Sequence, residues 1–110
     1  MAIEQREIIE LNFLMPDGKS KLHPAIIISN NDLFEDEGFF YCCMISSKDY
    51  NPQYTFEIEP SMVTKSFDKK SYVKCQIIGG FTQKDIIRKI SSMRIEPFER
   101  LISKISSCIF

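Results

Sequence analysis

Two stretches limit what this chain can fold into: Pro24–Ser29, PAIIIS, and Phe39–Ser46, FFYCCMIS. Each is a nearly unbroken apolar run of strand length, rich in β-branched or aromatic residues and flanked by turn formers. A strand with one wet face alternates apolar and polar residues; runs like these need cover on both faces, which puts them inside a sheet. Around them lie further short strands. Glu7–Phe13, EIIELNF, alternates with Ile9, Leu11 and Phe13 on one side. Tyr54–Ile58 does the same, and Tyr72–Ile78 reads as another strand ended by Gly79-Gly80.

A helical repeat is clear only at the end. Phe98, Leu101, Ile102, Ile105 and Ile109 follow Glu96-Pro97, which offers a helix start with proline at the first helical position. Between the strands, Pro16-Asp17-Gly18 and the polar residues after it make a loop. Asn30–Gly38, NNDLFEDEG, reads as an acidic, mobile loop, and residues 61–70 as a basic connection. Gln83–Ile90 suits a short helical turn or a bent strand equally. Five to seven short strands with one C-terminal helix predict a mostly β fold, a small SH3-like barrel with the helix packed against it.

At 110 residues the chain suits a single domain, 1–110, and its 44% hydrophobic and 26% charged residues exclude disordered and fibrous classes. The N-terminus lacks the basic start and apolar core of a secretory signal, and no segment reaches the roughly 18 apolar residues of a membrane span. The expectation is a cytoplasmic protein without membrane association. Cys42, Cys43, Cys75 and Cys108 match neither a redox nor a zinc spacing, so they are read as buried small hydrophobes, and no metal or cofactor is expected. Net charge is −1, but residues 1–60 carry four basic against eleven acidic side chains and residues 61–110 carry ten against four. Such asymmetry can build a basic face, or simply a solvated surface of mixed sign.

The only histidine, His23, stands before Pro24 in KLHPAIII. It is either part of a site or the last polar residue before a buried strand.

Three stretches in order carry a resemblance. Arg6–Phe13, REIIELNF, is similar to G-[DE]-I-x-x-[VL]-x-F, with Arg6 in place of the glycine. Asp17–Ser29, DGKSKLHPAIIIS, is similar to G-x(n)-R-P-[AV]-[LIV]-[LIV]-[LIV]-S, and the segment from Ser71 onward to a later strand, connection and final helix. Together they resemble the PemK/MazF family of toxin endoribonucleases from toxin–antitoxin systems.

The resemblance implies a homodimer with an RNA groove at or near its interface, cleaving single-stranded RNA without a metal and held in check by a small antitoxin protein with a disordered tail. The implied chemistry is attack of a ribose 2′-OH on the adjacent phosphate, leaving a 2′,3′-cyclic phosphate and a 5′-OH. That requires a base, an acid and positive charge at the phosphate. His23 falls where the family has arginine; it loses the bidentate fork and gains titration near neutral pH. Ser46 falls on a family Ser/Thr, with Ser47 beside it; either hydroxyl suits a phosphate oxygen, or both are ordinary strand-end residues.

Lys74-Cys75-Gln76 fall where one branch of the family carries R-C-D, so charge is kept while the acid is lost. Lys19 and Lys21 supply charge where some members have a histidine. The catalytic candidates are thus His23, Ser46 and Lys74, and the RNA-binding candidates Lys19, Lys21, Ser47, Lys48 and Gln76. Tyr50, Tyr54, Lys65, Lys69 and Lys70 add rings and charges suited to a single strand. The altered positions also fit a catalytically degenerate member that binds RNA or protein, or a gyrase-directed toxin, since CcdB-type gyrase poisons resemble the same fold.

Overall fold

The computed structural model describes residues 3–48 and 51–110, so Tyr50 lies outside the described residues. Six strands, β1 (Glu7–Leu14), β2 (Ser20–Ile27), β3 (Phe39–Ser46), β4 (Thr55–Ile58), β5 (Ser71–Thr82) and β6 (Arg88–Ser92), form one antiparallel sheet in the order β4-β5-β3-β2-β1-β6. Helix α1 (Asn31–Glu37) joins β2 to β3, and α2 (Ile95–Ile109) ends the chain. The mostly β fold with a C-terminal helix is as the sequence predicts.

The long apolar runs are explained by two cores, one on each face of the sheet. Ile8, Ile26, Cys43, Ile45, Val73 and Cys75 pack with Phe98, Leu101 and Ile105 of α2. Their neighbours Ile9, Ala25, Ile27, Cys42 and Met44 point the other way and pack with Leu11, Phe13 and Phe40. Because successive strand residues face opposite sides, only a strand covered on both can be apolar at every position. The second half of β2, Ala25–Ile27, and β3 are those segments.

The two edge strands do not pair with each other, so the sheet is not a closed barrel. The chain beyond β4 spans the gap instead. Val63 bridges Met93, the Thr64 N–H donates to the Ser92 carbonyl at 2.9 Å, and the Arg94 N–H to the Met62 carbonyl at 2.8 Å. On the far edge, Lys89 and Arg88 of β6 reach Glu7 and Glu10 of β1 at 2.6 and 3.0 Å.

Several expectations are corrected. Residues 30–38 are not a mobile loop: the Asn30 side chain caps α1 by accepting from the Leu33 N–H, Gly38 closes it at φ 77°, and Phe34 packs edge-on against Phe40. Acidic composition suggested a loop, but both caps were present in the sequence. Gln83–Ile90 resolves into a single 3-10 turn, Gln83–Asp85, closed by Thr82 and Asp85, followed by the start of β6. Pro97 is the third residue of α2 rather than the first, still within the turn whose N–H groups have no helical acceptor. Ile102 and Ile109 of the predicted stripe lie on its exposed side.

Arg6 adopts φ 79°, a left-handed conformation that accounts for the glycine expected at this position. Here the side chain has its own use, since Nη1 donates to the Met93 carbonyl at 2.7 Å. β5 does not stop at Gly79-Gly80 but runs on to Thr82, because rings cover the glycines. A Cβ on Gly79 would stand 2.6 Å from Phe81 Cε2 and 3.3 Å from Phe13 Cε1. Gly79→Ala must therefore push the Phe81 ring from its edge contact with Phe13. The expected cost is about 1–2 kcal/mol, read as a lower midpoint in thermal or urea unfolding.

Candidate functional site

The site begins where Pro24 interrupts a ladder. β2 and β3 are paired at Ile27–Cys42, Ile26–Cys43 and Ala25–Met44, and pairing stops there. At the next position Pro24 has no N–H to give. The Ile45 carbonyl lies instead 3.3 Å from Nδ1 of His23. A carbonyl can only accept, so Nδ1 carries the proton, and in the neutral ring the lone pair is on Nε2. Burial lowers the His23 pKa below its ordinary value; the Ile45 hydrogen bond opposes this, and the Lys21 charge adds to it. The imidazole is therefore neutral at pH 7, with its free lone pair fixed to one nitrogen.

One strand further, Ser46 ends β3, and its Oγ accepts the Lys48 N–H at 3.2 Å. That bond leaves the hydroxyl hydrogen available to an incoming oxygen. The third wall is a large bulge in β5. Between the pairs Ile45–Val73 and Cys43–Ile78, β3 advances two residues while β5 advances five. The surplus reverses which face the strand presents: Val73 and Cys75 belong to the core under α2, whereas Ile77 packs against the opposite core. Bulges re-aim side chains in this way. Lys74 and Gln76, within the bulge, line a cleft, and Lys74 is only 6% exposed.

That cleft has a volume of about 760 Å³. It gathers seven of the eight candidates: His23, Ser46, Lys74, Lys21, Ser47, Lys48 and Gln76. Lys19 is not among its lining residues, since it closes the β1–β2 turn with its carbonyl accepting from the Met15 N–H at 2.8 Å. Of the further basic and aromatic residues, Lys69 lines the cleft while Lys65, Lys70 and Tyr54 do not.

Among the described residues that line it, four lysines, at 21, 48, 69 and 74, stand with one carboxylate, Asp68. Two of these lysines come from the acidic first half and two from the basic second half, and none of the acidic residues of α1 borders the cleft. Met15, Met44 and Ile77 add an apolar surface. Sequence reasoning missed Phe67, Asp68 and Ser71, although the basic connection at 61–70 was the available signal. Only the fold shows that this connection returns beside β5.

The described residues contain no group of three His, Cys, Asp or Glu side chains able to hold a metal, and no helix long and apolar enough to cross a membrane. Cys42, Cys43 and Cys75 are buried and Cys108 half-buried, in agreement with a packing role.

Comparison with known structures returns the same architecture. MazF from Deinococcus radiodurans superposes with a TM-score of 0.78 at 11% identity, covering 99% of this chain and 97% of that one. A mycobacterial endoribonuclease in complex with its cognate antitoxin gives 0.78 at 11% identity, over 98% and 95%. The Mycobacterium tuberculosis toxin MazF-mt6 gives 0.73 at 15% identity, over 93% and 94%. No curated protein sequence matches the chain. The family of PemK-like, MazF-like toxins of type II toxin–antitoxin systems matches residues 4–109, nearly the entire length. With that match, and with the six-stranded sheet and terminal helix the family's structures share, the chain belongs to the PemK-like, MazF-like toxins.

Proposed function

We propose that this chain is a metal-independent endoribonuclease that cuts single-stranded RNA at the cleft between β2, β3 and β5. The observation that carries the reading is the His23 clamp, a neutral imidazole held by its Nδ1–H with Nε2 left as a base, in the same cleft as the buried Lys74. Nε2 takes the proton of a ribose 2′-OH, and the 2′-oxygen forms a bond to phosphorus. The bond from phosphorus to the 5′-oxygen breaks, and that oxygen leaves as a hydroxyl with a proton from the Lys74 ammonium. His23 and Lys74 then return to their starting states by exchange with solvent.

Ser46 donates to a phosphate oxygen, while Lys21, Lys48 and Lys69 attract the strand. The half-buried Phe67 ring and the methionines suit the face of a base. Family membership supports two further elements of the reading: two copies assemble, and a small antitoxin protein occupies the cleft to silence it.

Incubation of the purified chain with single-stranded RNA in a chelator tests the proposal. The expected products carry 2′,3′-cyclic phosphate and 5′-hydroxyl ends, and intact RNA would overturn it. The rate should rise with pH as His23 loses its proton, with a midpoint below the ordinary histidine value of about 6.5 and a plateau through neutrality. The direction follows from the burial that disfavours the imidazolium. A midpoint above that value would assign the base to another group. The competing reading, a non-catalytic binder or gyrase-directed toxin, is favoured by Gln76, which has no acid–base capacity. It requires growth arrest that survives His23→Ala.

A further inference from the structure

Cys75 sits inside the β5 bulge between Lys74 and Gln76, but faces away from the cleft into the core under α2. Cys108, in the last turn of α2, packs against that core, within side-chain reach of Cys75. Secondary contacts hold each sulfur in place: Cys75 Sγ donates to the Val73 carbonyl at 3.8 Å, and Cys108 Sγ to the Gln53 carbonyl at 3.6 Å. Cys75 is fully buried while Cys108 is half-buried, so one thiol of the pair is open to a small oxidant and the other waits behind it.

We infer that Cys75 and Cys108 form an oxidisable dithiol, a modification site for peroxides that closes to an intramolecular disulfide between the cleft's bulge and the C-terminal helix. The peroxide O–O bond breaks at the Cys108 sulfur, giving a sulfenic acid and releasing one water. Cys75 then attacks that sulfur, the S–O bond breaks and a second water leaves. Two thiols and one hydrogen peroxide thus become one disulfide and two waters, the protein losing two electrons and two protons.

Burial raises the Cys75 thiol to about 12, so Cys75 does not start the reaction. The nearby Lys104 charge works in the opposite direction. Cys43 is fully buried in the same core and lies near both thiols, so it is the control position for the pairing.

A disulfide fixes the sulfurs about 2.05 Å apart, drawing the bulge toward α2. Lys74 and Gln76 flank the residue that moves. Displacements near 1 Å at a catalytic group cost about a hundredfold in rate, so the cleft should lose activity on oxidation and recover it on reduction. This last consequence rests on the proposed ribonuclease activity; the bond does not.

The test treats the full-length protein with hydrogen peroxide, blocks remaining thiols with an alkylating agent and maps peptides by mass spectrometry. The expected result is a crosslink joining the peptides that contain residues 75 and 108, reversed by dithiothreitol. Cys108→Ser abolishes it and Cys43→Ser leaves it intact. Protein in which Cys108 passes to sulfinic acid with Cys75 still alkylatable after denaturation, or in which only intermolecular disulfides form, would overturn the inference. RNA cleavage is followed in parallel. A crosslink in a protein that never cuts RNA would sink the ribonuclease reading and leave the dithiol standing.

Discussion

His23→Ala lowers RNA cleavage by about 10²- to 10⁴-fold, the range expected for removal of a positioned general base. The fold should survive, because the side chain lines the cleft beyond the last β2–β3 pair and its hydrogen bond goes to the Ile45 carbonyl at 3.3 Å. Circular dichroism and the thermal midpoint check that point. His23→Arg is the more telling variant. It installs the residue the family carries here, with a permanent charge and no titration near neutrality. The acid limb of the pH–rate profile should therefore disappear. An acid limb that persists in His23→Arg would assign the base to another residue.

The same burial has a consequence for stability, whose sign is opposite to that of a histidine gaining an acidic partner. The folded state disfavours the imidazolium, so below about pH 6.5 the unfolded chain binds a proton that the folded chain resists. This contribution is absent above the unfolded value. As pH falls through that value toward the lower folded one, it becomes a destabilisation.

Lys74→Met should reduce cleavage by about 10²- to 10³-fold, comparable to the loss of one charge-stabilising donor at a developing anion. Methionine keeps the length and much of the volume of the lysine stem at a position only 6% exposed, so the loss is of charge rather than of packing. Lys74→Arg retains charge but brings a larger planar head into the bulge and does not give up its proton, so it restores the electrostatic part of the role alone and partial activity is expected. Initial rates on a short fluorescent RNA, at low and at moderate salt, separate the two effects. Loss of binding alone would weaken with salt in wild type and variant to different degrees, whereas loss of chemistry persists at saturating RNA. Wild-type rates in Lys74→Met would remove Lys74 from the mechanism.

The sequence made the interior of the fold legible for a simple reason. Runs such as AII at 25–27 and CCMI at 42–45 have no reading except a strand covered on both faces, and the two cores are that cover. The edges were harder. β6 reads weakly because Arg88 and Lys89 are exposed and its partner contacts come from Glu7 and Glu10, far away in the chain. Gly79-Gly80 signalled a strand end because glycine contributes nothing to a ladder's side-chain packing; the rings of Phe81, Phe13 and Tyr41 that cover those backbones are a tertiary fact.

At the site, His23 and Pro24 announced themselves by adjacency, and Lys74 by alignment with a family position. What no local pattern contains is the three-residue surplus of β5 over β3, since a bulge is a relation between two strands. Phe67 and Asp68 were hidden for the same reason. Their place beside the cleft depends on how residues 62–65 span from β4 to β6.

The pairing of β1 with β6 also bears on the order in which the molecule can be completed. Glu7 lies opposite Ser92, and the Val63–Met93 bridge needs the same late segment. During synthesis the strands that carry the cleft candidates are all available once residue 82 has emerged, yet one edge of β1 remains unpaired until residues 88–92 follow. Contacts across most of the chain's length carry the largest loop-closure cost and form late. A nascent chain therefore holds every proposed catalytic side chain before it has the frame that fixes them. Residues 88–110, which contribute none of the cleft's lining, act as the clasp.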